Sequence, residues 1–292
     1  MSRVLITGAS GFIGAALADA LRAGGLSLRT AGRGAGADVR LGALNAQTDW
    51  RAALEGVHAV VHLAGPAHAR FDECVLRAAI TDAAAALAAQ AAAMGVRRFV
   101  FISSIKAAAA RTYARAISER DPPAPEDAYG RAKLHAERAV LAHGALNPVI
   151  LRPPLVHAAD AKANFAALLR LSASGAPLPF AGVANKRSVI ARDALIEAIK
   201  AALGPGPAGV FHVADQPALS TPQIIAALRH GLGLKPNLFN AGPLAALAPA
   251  ALSESLESDD SAFRAAYGYG ARADLGAADA LEASARAWKA LR

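Results

Sequence analysis

A tyrosine and a lysine four residues apart, as in Tyr129-Gly-Arg-Ala-Lys133, can handle a proton together if a helix carries them, because positions i and i+4 share one face. A free phenol ionises near 10 and is a poor base at neutral pH. An ammonium ~4–5 Å away at an effective dielectric of ~20 favours the phenolate by roughly 3–4 kcal/mol, enough to move it usefully even after a heavy discount for solvent. Ser103 and Ser104 close the β-rich run Phe99-Val-Phe-Ile-Ser-Ser, at the end of a strand where a parallel sheet presents its chemistry. In such a set Tyr129 exchanges the proton of a carbinol or carbonyl oxygen and Ser104 hydrogen-bonds the same oxygen. Lys133 depresses the phenol. The Tyr/Lys spacing recurs by chance, so its weight depends on what precedes it.

Near the N-terminus stands Val4-Leu-Ile-Thr-Gly8-Ala-Ser-Gly11-Phe-Ile-Gly14, with three glycines where an apolar run gives way to helical spacing. Gly8 permits a tight turn, Gly11 lets the backbone approach a pyrophosphate, and Gly14 lets the helix pack on the strand. The first amides of the helix then face the phosphates along a favourable dipole. Gly8, Ser10, Gly11, Phe12, Ile13 and Gly14 are therefore the expected cofactor cradle, with the Phe12 and Ile13 side chains also serving as core contacts. The next extended run, Leu26 to Ala31, leads into Gly32-Arg33-Gly34, where an NAD site ordinarily places a carboxylate for the ribose 2′-hydroxyl. No acid occurs there before Asp38. Arg33 suits a 2′-phosphate instead, with Ser10 adding a hydrogen bond, so the reading leans to NADP over NAD. The competing reading has Arg33 stacked on adenine and accepting either cofactor.

The elements that must position these groups alternate. Val4 to Thr7, Val57 to Leu63, Arg98 to Ile102 and Pro148 to Leu151 read as strands, and Phe12 to Ala23, Ala78 to Met94 and Glu126 to His143 as helices. That alternation predicts an α/β fold with a doubly wound parallel sheet, a Rossmann domain. After Arg152, prolines 153, 154, 177 and 179 break the pattern, and Gly204-Pro-Gly-Pro-Ala-Gly209 turns the chain into the run Val210 to Val213. The expected division is a nucleotide domain over 1–155, joined by about 186–216. A smaller, mostly helical substrate lobe takes 156–185 and 217–292.

Composition narrows the class. The 292 residues are 54% hydrophobic and 18% charged, with one cysteine, which suits a large core and excludes a disulfide scaffold. The excess of 31 Lys+Arg over 23 Asp+Glu gives a net charge of +8, yet the arginines are scattered and aromatics are 5%. A nucleic-acid platform is not expected. The first residues lack a secretory signal pattern, and no run reaches the ~18 unbroken apolar residues of a membrane span, so a cytoplasmic protein is expected. His58 and His62 are four apart on a strand, ~13 Å, too far to share a metal. His68, His135, His143 and His157 have no partner spacing, so no metal is expected. Cys74 reads as helix packing.

The order of glycine loop, serine strand and Tyr-x-x-x-Lys helix, with G-x-x-G-x-x-G spacing, resembles the short-chain dehydrogenase/reductase superfamily. Most of the chain is similar to its extended branch, the NAD-dependent epimerase/dehydratase family, and in it to the UDP-glucose 4-epimerase-like group with its UDP-4-ketosugar reductases. The residues that carry the likeness are Thr48-Asp-Trp-Arg-Ala-Ala-Leu-Glu-Gly56, Val61-His-Leu-Ala-Gly65, Gly95-Val-Arg-Arg-Phe-Val-Phe-Ile-Ser-Ser-Ile-Lys106 and Leu151-Arg-Pro-Pro-Leu-Val156. Lys162-Ala-Asn-Phe165, Pro177-Leu-Pro179 and Asn185-Lys-Arg-Ser188 add to it. The resemblance implies hydride transfer at C4 of a nucleotide sugar, by a 4-epimerase or a 4-keto reductase, with catalysis by Ser104, Tyr129 and Lys133. It also implies that Leu63, Ala64, Gly65, Tyr129 and Lys133 border the cofactor, with Lys133 on the ribose of a nicotinamide whose ring takes or gives the hydride, that Asn164 and Arg187 meet a UDP diphosphate, and that the chain pairs as a homodimer through helices. The sequence departs from the family at Ala43 (where the family has Asp), Ile80 (Asn), His157-Ala158 (Tyr-Gly) and Ala251 (Arg). These departures motivate an alternative, a nicotinamide-binding sensor or partner protein without catalysis.

Overall fold

The computed structural model describes residues 3–66, 71–242, 249–270 and 276–292; His68 lies outside them. Seven strands form one sheet in the order β3-β2-β1-β4-β5-β6-β9. They are β1 (Arg3–Thr7), β2 (Ser27–Gly32), β3 (Val39–Arg40), β4 (Val57–His62), β5 (Arg98–Ile102), β6 (Pro148–Arg152) and β9 (Gly209–His212), and every pairing is parallel. β5 and β6 are buried at every residue, as strands covered on both faces must be, and this explains their unbroken apolar runs. The order reverses between β1 and β4, and that switch point opens a crevice at the carboxyl ends of the strands, just after Thr7 and His62.

Helices cover both faces. On one side α2 (Arg51–Leu54), α4 (Ala83–Ala93) and α5 (Ala128–Leu141) pack a core that includes Trp50, Leu76, Leu87, Phe99 and Phe101. On the other, α1 (Phe12–Ala23), α7 (Arg192–Leu203) and α10 (Ser261–Tyr267) enclose Leu17, Leu21, Val100, Leu195 and Phe263. The helix expected from Ala78 begins earlier, as α3 (Glu73–Leu76), and runs into α4 through a π-helical stretch, Arg77–Asp82. By length and composition Glu73–Ala93 matches a membrane span, yet its Leu76, Ile80, Ala84, Leu87, Ala88 and Ala91 sit in the core. Cys74 does not pack as expected: it lies on the outward face of α3, exposed.

Beyond β6 the chain forms a small parallel pair, β7 (Leu155–His157) with β8 (Val189–Ala191). The remaining helices are α6 (Ala163–Ala173), α8 (Thr221–Leu232), α9 (Ala250–Ser253) and α11 (Ala277–Ala290). A separate apolar cluster, with Phe165, Leu169, Leu228, Leu281 and Ala285, holds α6, α8 and α11 together. α8 opens on a capping box in which Ser220 and Gln223 satisfy each other's backbone amides, and it closes on Gly233 at φ +76°.

Candidate active site

Gly8 and Gly14 are fixed by close backbone approach. A Cβ on Gly14 would lie 2.2 Å from Gly8 O, and one on Gly8, at φ +76°, would lie 2.9 Å from Ala64 N. Only glycine lets α1 start this close to β1 while the loop after β4 crosses it, which leaves the N-terminal amides of α1 facing the crevice. Thr7 fastens the two strands. Its Oγ1 accepts from Ala64 N at 3.2 Å and shares a 2.7 Å hydrogen bond with His62 Nδ1. Ser10 and Gly11 are exposed, Phe12 and Ile13 half-buried, and Leu63 and Ala64 half-buried across the crevice from them. This close-packed, anion-favouring cradle fits the pyrophosphate of a dinucleotide.

Arg33 lies exposed just past β2. The nearby carboxylate is spent: Asp38 Oδ2 accepts from Thr30 N at 2.7 Å and from Thr30 Oγ1 at 2.8 Å, and these bonds hold its pKa below the usual value. The two adjacent serines have different fates. Ser103 is buried and donates to Glu137 Oε1 at 2.5 Å. Ser104 is half-exposed, and its Oγ accepts from Lys106 N at 3.2 Å. Glu137 also takes both guanidinium arms of buried Arg152, at 2.9 and 2.6 Å. One carboxylate thus ties together β5, β6 and α5.

α5 begins where Asp127 Oδ1 accepts from Gly130 N at 2.7 Å, an N-cap. Gly130 is required there because a Cβ would meet Lys106 O at 2.3 Å. Tyr129 and Lys133 share the face of α5 turned to the end of β5. Lys133 is buried, donates to Ile102 O at 2.8 Å, and lies 4.7 Å from the Phe101 ring centroid and 5.9 Å from that of Tyr129. The expected depression of the phenol is not produced by the chain's own charges. Burial, and then the Asp127 carboxylate, push Tyr129 up to about 12, and burial brings Lys133 down to about 8 against the pull of Glu137. The shortfall has a physical cause: desolvation penalises both charged forms, and the lysine points its donor at a carbonyl.

His62 is buried and held neutral, its pKa lowered to about 3 by burial and by Lys133. It stacks on Phe101 at 5.6 Å between ring centroids, so the strand role expected for it is observed. His157 is also buried, with Nδ1 3.0 Å from Ser284 Oγ. Among the described residues no group of three or more His, Cys, Asp or Glu is placed to hold a metal.

Arg187 and Asn164 stand on different elements of the small lobe. Asn164 is exposed at the start of α6, where Ala163 adopts φ +53°. Arg187 is half-buried and donates from Nη1 to Glu254 O at 3.0 Å, and burial lowers its pKa. Its backbone pairs with Leu219 and flanks Leu256. The segment after Ser104 is zipped to the same region, Thr112 N donating to Ser255 O and Ile117 N to Glu257 O, each at 2.8 Å. Arg111 then bridges Glu126 at 2.8 Å, just before α5, and Glu254 at 3.0 Å. Sequence reasoning missed Lys106, Arg111, Asp127, Glu137 and Arg152 as parts of this site. Glu137 had a readable signal, four residues after Lys133 on the same helix face; the others depend on loops meeting. Of the departures, Ile80 is sealed in the core and faces Gly65, where an added Cβ would lie 3.5 Å from Ile80 Cγ1.

Seven parallel strands with a glycine cradle at the point where their order reverses define a Rossmann fold. The model of the NAD dependent epimerase/dehydratase family matches residues 4–214, and the chain belongs to that family and is an enzyme, which sets aside the sensor reading. It is 35% identical to the UDP-glucose 4-epimerase of Vibrio cholerae over 243 residues, 77% of this chain and 74% of the relative. Its fold matches the UDP-N-acetylglucosamine 4-epimerase of Bacillus cereus with a TM-score of 0.83 at 19% identity, covering 100% of this chain and 99% of the other. It also matches RMD from Pseudomonas aeruginosa, solved with NADPH, with a TM-score of 0.79 at 19% identity over 100% and 99%.

Proposed function

We propose that this enzyme moves a hydride at C4 of a UDP-sugar, as a 4-epimerase or a 4-keto reductase. The observation that carries the reading is the placement of Ser104, Tyr129 and Lys133 at the carboxyl end of β5, beside the glycine cradle. The similarity to the Vibrio cholerae epimerase supports the UDP-sugar. A nicotinamide nucleotide bound at Gly8, Ser10, Gly11, Phe12, Ile13 and Gly14, bordered by Leu63, Ala64 and Gly65, supplies the hydride acceptor or donor. The chain's own groups handle the proton. Tyr129 takes it from the C4 hydroxyl or returns it to the C4 carbonyl, Ser104 holds that oxygen, and Lys133, fixed by Ile102 O, provides the positive charge. The cluster around α6, α8 and α11 is the sugar-side lobe, with Asn164 and Arg187 toward the diphosphate.

Arg33, exposed and with the nearby Asp38 carboxylate already spent on Thr30, supports NADP over NAD. Titrating both nucleotides against the parent and Arg33→Ala tests this: equal affinities untouched by the substitution would exclude it. A cytoplasmic homodimer paired through the α3–α4 run and α5 completes the reading; a monomer mass by light scattering would argue against the dimer. The deciding assay incubates purified protein with a panel of UDP-sugars and follows nicotinamide absorbance. An epimerase interconverts two sugars with no net change, and a reductase consumes one reduced nicotinamide per turnover. Tyr129→Phe is expected to cut turnover by ~10²-fold or more with cofactor binding near normal. Retention of most activity by that variant would overturn the catalytic assignment.

A further inference from the structure

The glycine cradle and the small lobe meet at Phe12, the first residue of α1. Its backbone belongs to the cradle, while its half-buried ring packs against the apolar cluster that holds Ala161 and Phe165. Arg192, the first residue of α7, lies over the same ring, its guanidinium carbon 5.0 Å from the ring centroid. Arg192 Nη1 in turn donates to both oxygens of Asp160, at 2.7 and 2.8 Å. Asp160 stands in the loop between β7 and α6, where Ala161 is buried and its N–H donates to Ala158 O at 3.1 Å. The loop runs on into Ala163, at φ +53°, and Asn164. A residue with a Cβ keeps a left-handed backbone only where its surroundings impose it. Here they are the burial of Ala161 and Phe165 on either side and the hold of Arg192 on Asp160.

We propose that Arg192 is a positioning residue that ties the loop 158–164 to the dinucleotide cradle, so that filling the cradle fixes the segment presenting Asn164. That this segment meets a nucleotide-sugar rests on the function proposed above. The group is suited to the task. A guanidinium is flat, so its face stacks on a ring while its edge grips a carboxylate, which a compact ammonium does not do at once. Its Nε is buried with no hydrogen-bond partner among the described residues; the Asp193 carboxylate, 3.8 Å away, is 90% exposed. Asp160 and Phe12 therefore fix the guanidinium. A dinucleotide on the amides of α1 holds Phe12 in place, and Phe12 and Asp160 share Arg192. Linkage makes the effect reciprocal: what the filled cradle does for the loop, the occupied loop does for the cradle. Asp160 keeps much of its hydration, so the coupling is modest.

Hydrogen exchange of amides 158–165, with the cradle empty and with saturating NAD or NADP, tests the tie. In the parent the dinucleotide is expected to slow exchange by about 5-fold. In Arg192→Met that slowing is lost, although calorimetry still shows dinucleotide binding. Asp160→Asn should lose most of it, and the double variant no more than Arg192→Met alone. Phe12→Leu, which keeps the α1 amides and removes the ring, should reproduce the loss and carries the test if Arg192→Met does not fold. A merely structural role for Arg192 would speed exchange equally in both states and leave their ratio in place. Slowing kept by Arg192→Met, or absent from the parent, would overturn the proposal. UDP titrated into the same proteins should bind the filled parent about 5-fold more tightly than the empty one. Arg192→Met should bind it equally in both states, and a gain kept in full there would also overturn the tie. If UDP did not bind the parent while exchange behaved as expected, the UDP-sugar reading would fall and the tie would stand.

Discussion

Two ion pairs flank the Tyr129 and Lys133 face of α5 and are built on opposite principles. At its inner end Glu137 and Arg152 are almost wholly buried, 1% and 5% exposed, and Ser103 shares the carboxylate. At its outer end Lys106 and Asp127 are half-exposed and meet through one oxygen. The inner pair has lost its water, so each charge is tolerable only because the other is present, and its geometry is rigid. The outer pair keeps much of its hydration and is cheap to alter. The difference teaches where this enzyme can vary: the packing of β5, β6 and α5 is set from inside the sheet, whereas the rim pair at the start of α5 can change at little cost.

Breaking the inner pair is expected to have the largest effect. Glu137→Ala strands Arg152 in the interior and frees the Ser103 hydroxyl, so a loss of about 3–5 kcal/mol in urea unfolding is expected. Replacing Glu137 and Arg152 together by well-packed apolar residues should cost much less, because no charge is then left alone. If Glu137→Ala unfolded like the parent, the inner site would be no more demanding than the rim.

The interior also contains histidines that burial keeps neutral, which makes it sensitive to acid. His62 falls to about 3 and His212 to about 4, in both cases chiefly through burial. A depressed folded-state pKa means that the unfolded chain binds the proton first. The stability contributed is complete above the ordinary histidine value of ~6.5 and drains as pH falls toward the folded values. Each group contributes a slope of up to about 1.4 kcal/mol per pH unit in that window. Denaturant titrations at pH values from about 7 down to about 5 should show stability falling with acidity. His62→Phe should flatten that fall, and an unchanged slope in the variant would place the acid sensitivity elsewhere.

The inner and outer regions were also unequally legible in the sequence. β5 reads as Arg98 to Ile102 and is Arg98–Ile102, because a strand buried on both faces must be apolar throughout. The glycine cradle was readable because backbone contacts tolerate no other residue. β3, with two residues, and β7 and β8, with three each, carry too little pattern to be seen and exist through their partners. Lys106, Arg111 and Glu254 were invisible as site residues for a related reason. Their spacing along the chain says nothing of the zip between 112–117 and 255–259 that brings them together. The surroundings of Tyr129 are hidden in the same way, because the sequence shows the lysine four residues on but not the carbonyl of Ile102 that engages it.

The smallest expected effect separates the two jobs of Asp127. Asp127→Ala removes the oxygen that caps Gly130 N as well as the partner of Lys106, and loss of an N-cap costs about 1 kcal/mol. Asp127→Asn keeps a capping oxygen and loses only the charge, so most of that stability should return while the partner of Lys106 stays weakened. Acid gives an independent check. The carboxyl is held below its ordinary 3.8 by the Lys106 and Gly130 hydrogen bonds despite the opposing effect of burial. Its contribution is therefore present above 3.8 and drains as pH falls below that value. Thermal unfolding of the three proteins at neutral pH should rank parent, Asn, Ala, with Asn nearer the parent. If Asn fell as far as Ala, the ion pair rather than the cap would be holding the start of α5, and the rim would be structural in the way the inner pair is.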